Sequence, residues 1–187
     1  MNIILFGPPG AGKGTQAKYL VKKINGFQIS TGDILRNEIY KNSTVGKEIT
    51  NDMNDGKFVT DKIVNNLIKD IIFDPHKKNR FIFDGYPRSL SQAKNLDTFL
   101  IDSDQKIDFI FFLNVNKDVI IKRIEKRKNI ENRSDDDLNT ILKRYDTYME
   151  TTKPVLEYYS KNQNFHEIDG ALEIDQITNK IDAFLGV

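Results

Sequence analysis

The 187-residue sequence has no cysteine. This excludes disulfides, thiol catalysis and a cysteine-ligated zinc site. It is compatible with a reducing cytoplasm without requiring one. Histidine is nearly as scarce. His76 lies in the polar loop Asp74-Pro75-His76-Lys77-Lys78 and His166 on a weak strand pattern. Neither has a partner at metal-ligand or nucleophile spacing, so both read as structural or surface residues. An excess of charge of one sign is also missing. Lys plus Arg number 28 and Asp plus Glu 27, for a formal net charge of +1. General nucleic-acid and membrane-surface binders need a strong basic excess, so neither partner is expected, although a local basic pocket stays open. No run approaches the roughly 20 apolar residues of a membrane span. The start, Met1-Asn2-Ile3-Ile4-Leu5-Phe6-Gly7, lacks a basic n-region and is not expected to be a signal peptide. No fixed-period repeat and no low-complexity segment occurs. The expectation is a cytoplasmic, monomeric protein with one domain over residues 1–187.

The chain is 39% hydrophobic with 12 Phe, enough for a proper core. Ile3-Ile4-Leu5-Phe6 is a continuous apolar run ending at a glycine, as suits a strand buried on both faces of a parallel sheet. Further strands are predicted at Phe27–Ser30, Arg80–Asp84, Asp108–Asn114 and, more weakly, Phe165–Asp169. Helical spacing is seen over Gly14–Ile24, Ser91–Ile101, Lys117–Lys126, Asp135–Tyr159 and Ile174–Leu185, and through the polar stretch Thr31–Asp74. Strands alternating with helices predict a three-layer α/β/α fold with a five-stranded parallel sheet.

Between the first strand and its helix lies Gly7-Pro8-Pro9-Gly10-Ala11-Gly12-Lys13-Gly14-Thr15. Phosphate oxygens need several convergent N–H donors at close range. Glycines allow that approach, and a helix N-terminus adds unpaired N–H groups and a positive dipole end. Lys13 is placed to reach terminal phosphates. The plain alternative is an ordinary turn. One departure stands out: Gly14 follows the lysine where the usual pattern has Ser or Thr as a magnesium ligand, and Thr15 comes one position late.

The string Gly7 to Thr15, with Gln16-Ala17, resembles the adenylate kinases among the nucleoside monophosphate kinases. Ser30-Thr31-Gly32-Asp33 with Leu35-Arg36 resembles the start of that family's monophosphate-binding segment, and Asp55-Gly56-Lys57-Phe58-Val59 its end. Phe83-Asp84-Gly85-Tyr86-Pro87-Arg88 with Gln92 resembles its signature. Asn132-Arg133-Ser134-Asp135-Asp136 and Lys143-Arg144 resemble its lid-edge arginines. The likeness runs through the whole chain in order.

The resemblance implies a fold of the P-loop NTPase type with an AMP-binding insert at 30–59 and a short lid at 123–134. ATP would lie on Gly10, Ala11, Gly12, Lys13, Gly14 and Thr15, with Arg123, Arg127 and the backbone at Leu172. AMP would meet Thr31, Arg36, Lys57, Phe58, Val59, Gly85, Tyr86, Pro87, Arg88 and Gln92. Arg133 and Arg144 would bridge both nucleotides, oriented by Asp135 and Asp136. Lys13, Arg88, Arg123, Arg133 and Arg144 would be catalytic. Met53, Phe58 and Val59 also suit plain packing of a helical insert. Phosphoryl transfer asks mainly for positioning and charge stabilisation, which explains so many cations from separate segments.

Asp84 ends a predicted buried strand behind the loop. An acid there can hold the hydration shell of Mg²⁺, which keeps water and phosphate as ligands. Only Lys128-Asn129-Ile130-Glu131-Asn132 separates Arg127 from Arg133, so the lid is the short form, and no zinc is expected. The implied reaction is MgATP + AMP ⇌ MgADP + ADP by direct transfer. Thr31 with Gln92 favours AMP as acceptor. The alternatives are a UMP/CMP kinase of the same fold and an ATP-binding switch that transfers nothing.

Overall fold

The computed structural model describes residues 1–77, 80–131 and 138–186, with side chains described outside 126–131 and 138. Among the described residues five strands form one sheet: β1 Ile3–Phe6, β2 Phe27–Ser30, β3 Phe81–Asp84, β4 Phe109–Asn114 and β5 Phe165–Asp169. Their order is β2-β3-β1-β4-β5, and every pairing is parallel. In β1, Ile3 stands beside Ile82 of β3 and Phe109 of β4. The predicted α/β class and strand count hold.

The central strand explains the layers. Successive side chains of a strand point to opposite faces. Ile4 and Phe6 face one core, with Ile29, Phe81, Phe83 and Ile110. Ile3 and Leu5 face the other, with Ile82, Phe111 and Leu113. All four β1 residues are buried, which is why the strand reads as an unbroken apolar run. Helices α4 (Asp61–Ile72) and α5 (Leu90–Asp102) cover the first face, adding Val64, Ile68, Leu96 and Leu100. Helices α1 (Lys13–Ile24), α6 (Lys117–Glu131) and α9 (Ile174–Leu185) cover the second, adding Leu20, Ile120, Ile177 and Ile181.

Three differences from the expected elements matter for the site. The polar stretch after β2 is three helices, α2 (Thr31–Tyr40), α3 (Thr44–Asn54) and α4, interrupted where Asn42 and Gly56 take positive φ. The helix expected over Asp135–Tyr159 is instead α7 (Leu138–Thr151) and α8 (Lys153–Tyr159). Pro154 explains the break: it has no N–H to give and its ring excludes the preceding turn. Finally, α6 runs past Lys126 to Glu131.

Candidate active site

The segment after β1 turns back under the start of α1. Gly10 and Gly12 take φ of 83° and 94°, a left-handed conformation that a side chain strains. Gly10 is also hemmed in, since a Cβ there would lie 3.2 Å from Ile120 and Ile124 of α6. Helices α2, α3 and α5 begin at serines whose hydroxyls cap them, but α1 begins at Gly12 with no side-chain cap. Its first turn thus presents backbone N–H groups and a positive dipole end to the cleft. Lys13 folds over the same loop, its Nζ donating to the carbonyls of Gly7 at 2.7 Å and Pro8 at 2.9 Å.

Asp84 ends β3 next to the loop. Gln28 Nε2 donates to its Oδ2 at 3.0 Å. Burial pushes the carboxyl up from the usual range, against the pull of Lys13, the Gln28 hydrogen bond and Arg88. Arg88 follows four residues later. Its Nε donates to the Gly85 carbonyl at 2.7 Å and its Nη2 to Thr31 Oγ1 at 3.3 Å. The guanidinium also lies over the Phe58 ring, 5.0 Å from its centroid. Burial, then Arg144, push its pKa down to about 10, so it stays charged at neutral pH.

Arg123 of α6 ties two loops together, donating to the carbonyls of Ala11 and Leu172 at 3.3 Å each. Arg36 pairs with Asp33 one turn earlier on α2. Arg144 projects from α7, next to Gly56.

These groups line one cavity of about 670 Å³. Its wall takes in Gly10 to Thr15 from the phosphate loop, Arg36 from α2, and Gly56, Lys57 and Phe58 from the turn after α3. Asp84, Gly85, Pro87, Arg88, Arg123, Arg144 and Leu172 are among the other residues that line it. The loops after β1, β3 and β5 all open into it, at the carboxyl ends of the strands where ligands of open α/β sheets bind. Such a volume with convergent cations suits more than one phosphate-bearing ligand.

A family model described as adenylate kinase matches residues 5–164. The adenylate kinase of Pelagibacter ubique (strain HTCC1062) is 48% identical over 213 aligned positions, covering 100% of both chains. That of Caulobacter sp. (strain K31) is 41% identical over 187 positions, covering 100% of this chain and 99% of its own. That of Mycoplasma capricolum subsp. capricolum is 40% identical over 209 positions, covering 97% of each.

The chain belongs to the adenylate kinase family. It is therefore an enzyme, an ATP:AMP phosphotransferase that yields two ADP, and the pyrimidine-acceptor alternative is not favoured. Its length fits the short-lid adenylate kinases.

Four residues expected at the acceptor do not line the cavity here. Thr31 and Gln92 are only 3% and 2% exposed. Thr31 Oγ1 donates to the Gly85 carbonyl at 2.8 Å. Gln92 Oε1 accepts the Arg88 backbone N–H at 2.7 Å, and its Nε2 donates to Asp61 at 2.7 Å. Val59 and Tyr86 belong to the core, the Tyr86 hydroxyl donating to Asn65 Oδ1 at 2.7 Å. The Arg127 side chain, Arg133, Asp135 and Asp136 lie outside the described residues. Among the described residues no cluster of three or more His, Cys, Asp or Glu is placed to hold a metal ion, and no helix is long and apolar enough to cross a membrane.

Several supporting groups carry little or no signal in the sequence. Gln28 holds Asp84 across 56 positions. Gln16 Nε2 donates to the Ile174 carbonyl at 3.2 Å and pins the start of α9 beside the loop. Thr152, at the α7–α8 break, donates to the Arg88 carbonyl at 3.1 Å and lines the cavity. Only the proline near Thr152 offered a signal.

Proposed function

We propose that the cavity is the donor and acceptor site of this transfer, with ATP and AMP laid end to end. The observation that carries the reading is that Lys13, Arg36, Arg88, Arg123 and Arg144, from five separate segments, line one cavity with the uncapped start of α1. Two nucleotides bring several negative charges together, and cations converging from separate elements offset them. Guanidinium forks bind phosphate oxygens two at a time.

ATP takes the backbone N–H groups of Gly10 to Thr15 and the ammonium of Lys13. Arg123 and Arg127 follow its length, and the backbone at Leu172 meets its adenine. AMP takes Arg36 and Arg88 at its phosphate, with Lys57, Phe58 and Val59 beside its base. Thr31 and Gln92 meet the acceptor base from behind the Gly85–Arg88 wall, to which Gln92 Oε1 is held by the Arg88 backbone N–H. Arg133 and Arg144 bridge the two nucleotides, with Asp135 and Asp136 orienting them. The insert at 30–59 and the lid at 123–134 close on the pair and exclude water from the transfer.

The residues present fit a hydrated magnesium ion. The Asp84 carboxylate lines the cavity opposite Gly14, which adds no side chain between them, and oxygen donors suit Mg²⁺. Phosphates, water and, through water, Asp84 would hold it, and it would supply positive charge against the triphosphate. A monomer in the cytoplasm, free of zinc, fits the near-neutral charge and the lack of cysteine.

A bisubstrate analogue, two adenosines joined through a polyphosphate chain, tests the reading. The expected result is one analogue per chain, displaced by ATP and by AMP alike. An analogue that competes with ATP alone contradicts the two-nucleotide cleft.

A further inference from the structure

Asp61 stands outside the cavity, in the first turn of α4, yet it grips a residue of the acceptor side. Its Oδ1 accepts Gln92 Nε2 at 2.7 Å and its Oδ2 accepts the Ser89 hydroxyl at 2.6 Å. On the opposite side Gln92 Oε1 accepts the Arg88 backbone N–H at 2.7 Å. A carboxamide can turn over and exchange its oxygen and nitrogen with little change of shape. Both neighbours oppose that here. A carboxylate only accepts and a backbone N–H only donates. The turned-over amide would set oxygen against oxygen and N–H against N–H. At 2% exposure, water cannot relieve either mismatch.

The carboxamide has two N–H groups and two oxygen lone pairs. Asp61 and Arg88 use one of each, so one of each remains, at fixed positions. A 6-aminopurine presents an acceptor ring nitrogen beside a donor amino group. A 6-oxopurine has almost the same shape and the reverse pattern, a ring N–H beside an acceptor oxygen. A glutamine free to turn serves both, and a locked one serves one. We infer that Asp61 is a positioning residue that sets the choice of 6-aminopurine over 6-oxopurine monophosphates by locking the carboxamide of Gln92. This rests on the reading above that Gln92 meets the acceptor base.

The test uses the full-length enzyme with ATP and either AMP or IMP, which differ in the 6-substituent and the proton on the ring nitrogen beside it. Asp61→Asn keeps the shape but can donate as well as accept, so one of the two locks is released. The kcat/KM ratio of AMP over IMP then falls roughly three- to tenfold, the size of one hydrogen-bond preference. The change lies in the acceptor KM, and the KM for ATP does not move. Should Asp61→Asn not fold, Asp61→Ser, whose hydroxyl also donates and accepts, gives the same fall. An unchanged ratio in a folded Asp61 variant overturns the proposal. Asp97→Ala loosens α5 elsewhere, removing the carboxylate that accepts the Tyr158 and Tyr159 hydroxyls, and leaves the ratio as in wild type; an equal fall there means general loosening of α5 and also overturns it. Gln92→Ala separates the layers. A raised KM for AMP in Gln92→Ala, with an unmoved ratio in Asp61→Asn, overturns the lock alone. An unmoved KM for AMP in Gln92→Ala overturns the acceptor assignment beneath it.

Discussion

A Cβ built on Gly14 would lie 3.6 Å from Oδ2 of Asp84, so the residue after the loop lysine and the acid ending β3 face each other across the cleft floor. Where many phosphate loops place a hydroxyl, this chain sets a residue without a side chain opposite a half-buried carboxylate. Holding the carboxylate there costs stability. Burial raises the folded pKa of Asp84 above its unfolded value of 3.8. The ionised group therefore weakens the fold as pH rises through the window between those values, and costs nothing below it. Asp84→Asn should raise the melting temperature at pH 7, with the gain shrinking as pH falls towards 3.8. The same variant should lose about a hundredfold or more in kcat with MgATP. Thermal melts across pH and steady-state rates check both, and a lower melting temperature at pH 7 would count against the burial argument.

Lys13 bonds the carbonyls of its own loop at Gly7 and Pro8 while its charge lies next to Asp84. Lys13→Met keeps the stem and removes the charge. Turnover should fall about a hundred- to a thousandfold, as when one preorganised donor is lost, while the circular dichroism spectrum stays that of the wild type. Wild-type turnover in this variant would break the donor assignment.

Arg88 uses two nitrogens on Gly85 and Thr31 while its flat head covers Phe58. A lysine cannot reproduce that fork. Arg88→Lys should raise the KM for AMP about ten- to a hundredfold, the scale of a charged hydrogen bond, with a much smaller change for ATP. Initial rates against each nucleotide in turn measure it, and equal shifts for both would move Arg88 away from the acceptor.

Gln92→Ala should raise the KM for AMP more than that for ATP. The same pair of titrations reads it. An equal effect on both would mean that Gln92 serves only the packing between α4 and α5.

The parts of the fold legible in the sequence are those whose burial is uniform. Ile3–Phe6 is covered on both faces and reads as an apolar run. The edge strand Phe165–Asp169 buries only Ile168, with Phe165 and His166 half-exposed and Glu167 and Asp169 exposed, so its signal is weak although it pairs with β4 over its whole length. Residues 31–74 read as one helical stretch because the turns at Asn42 and Gly56 are short and carry few breakers. The loop from Gly7 to Thr15 and Arg88 are legible because their chemistry is local. The partners Asp61 with Gln92, Gln28 with Asp84 and Arg123 with Ala11 are not, since they lie 31, 56 and 112 positions apart. Only the folded chain brings such pairs together. Gln92 itself was expected at the cavity surface, and its two hydrogen bonds instead hold it behind the wall.

The cleft passes phosphate from ATP to a second adenine nucleotide. Initial rates with ATP and each of AMP, UMP, CMP and GMP as acceptor test it most directly. AMP should be the fastest acceptor by a wide margin, with ADP as the product of both substrates. Faster turnover of UMP than of AMP would contradict it.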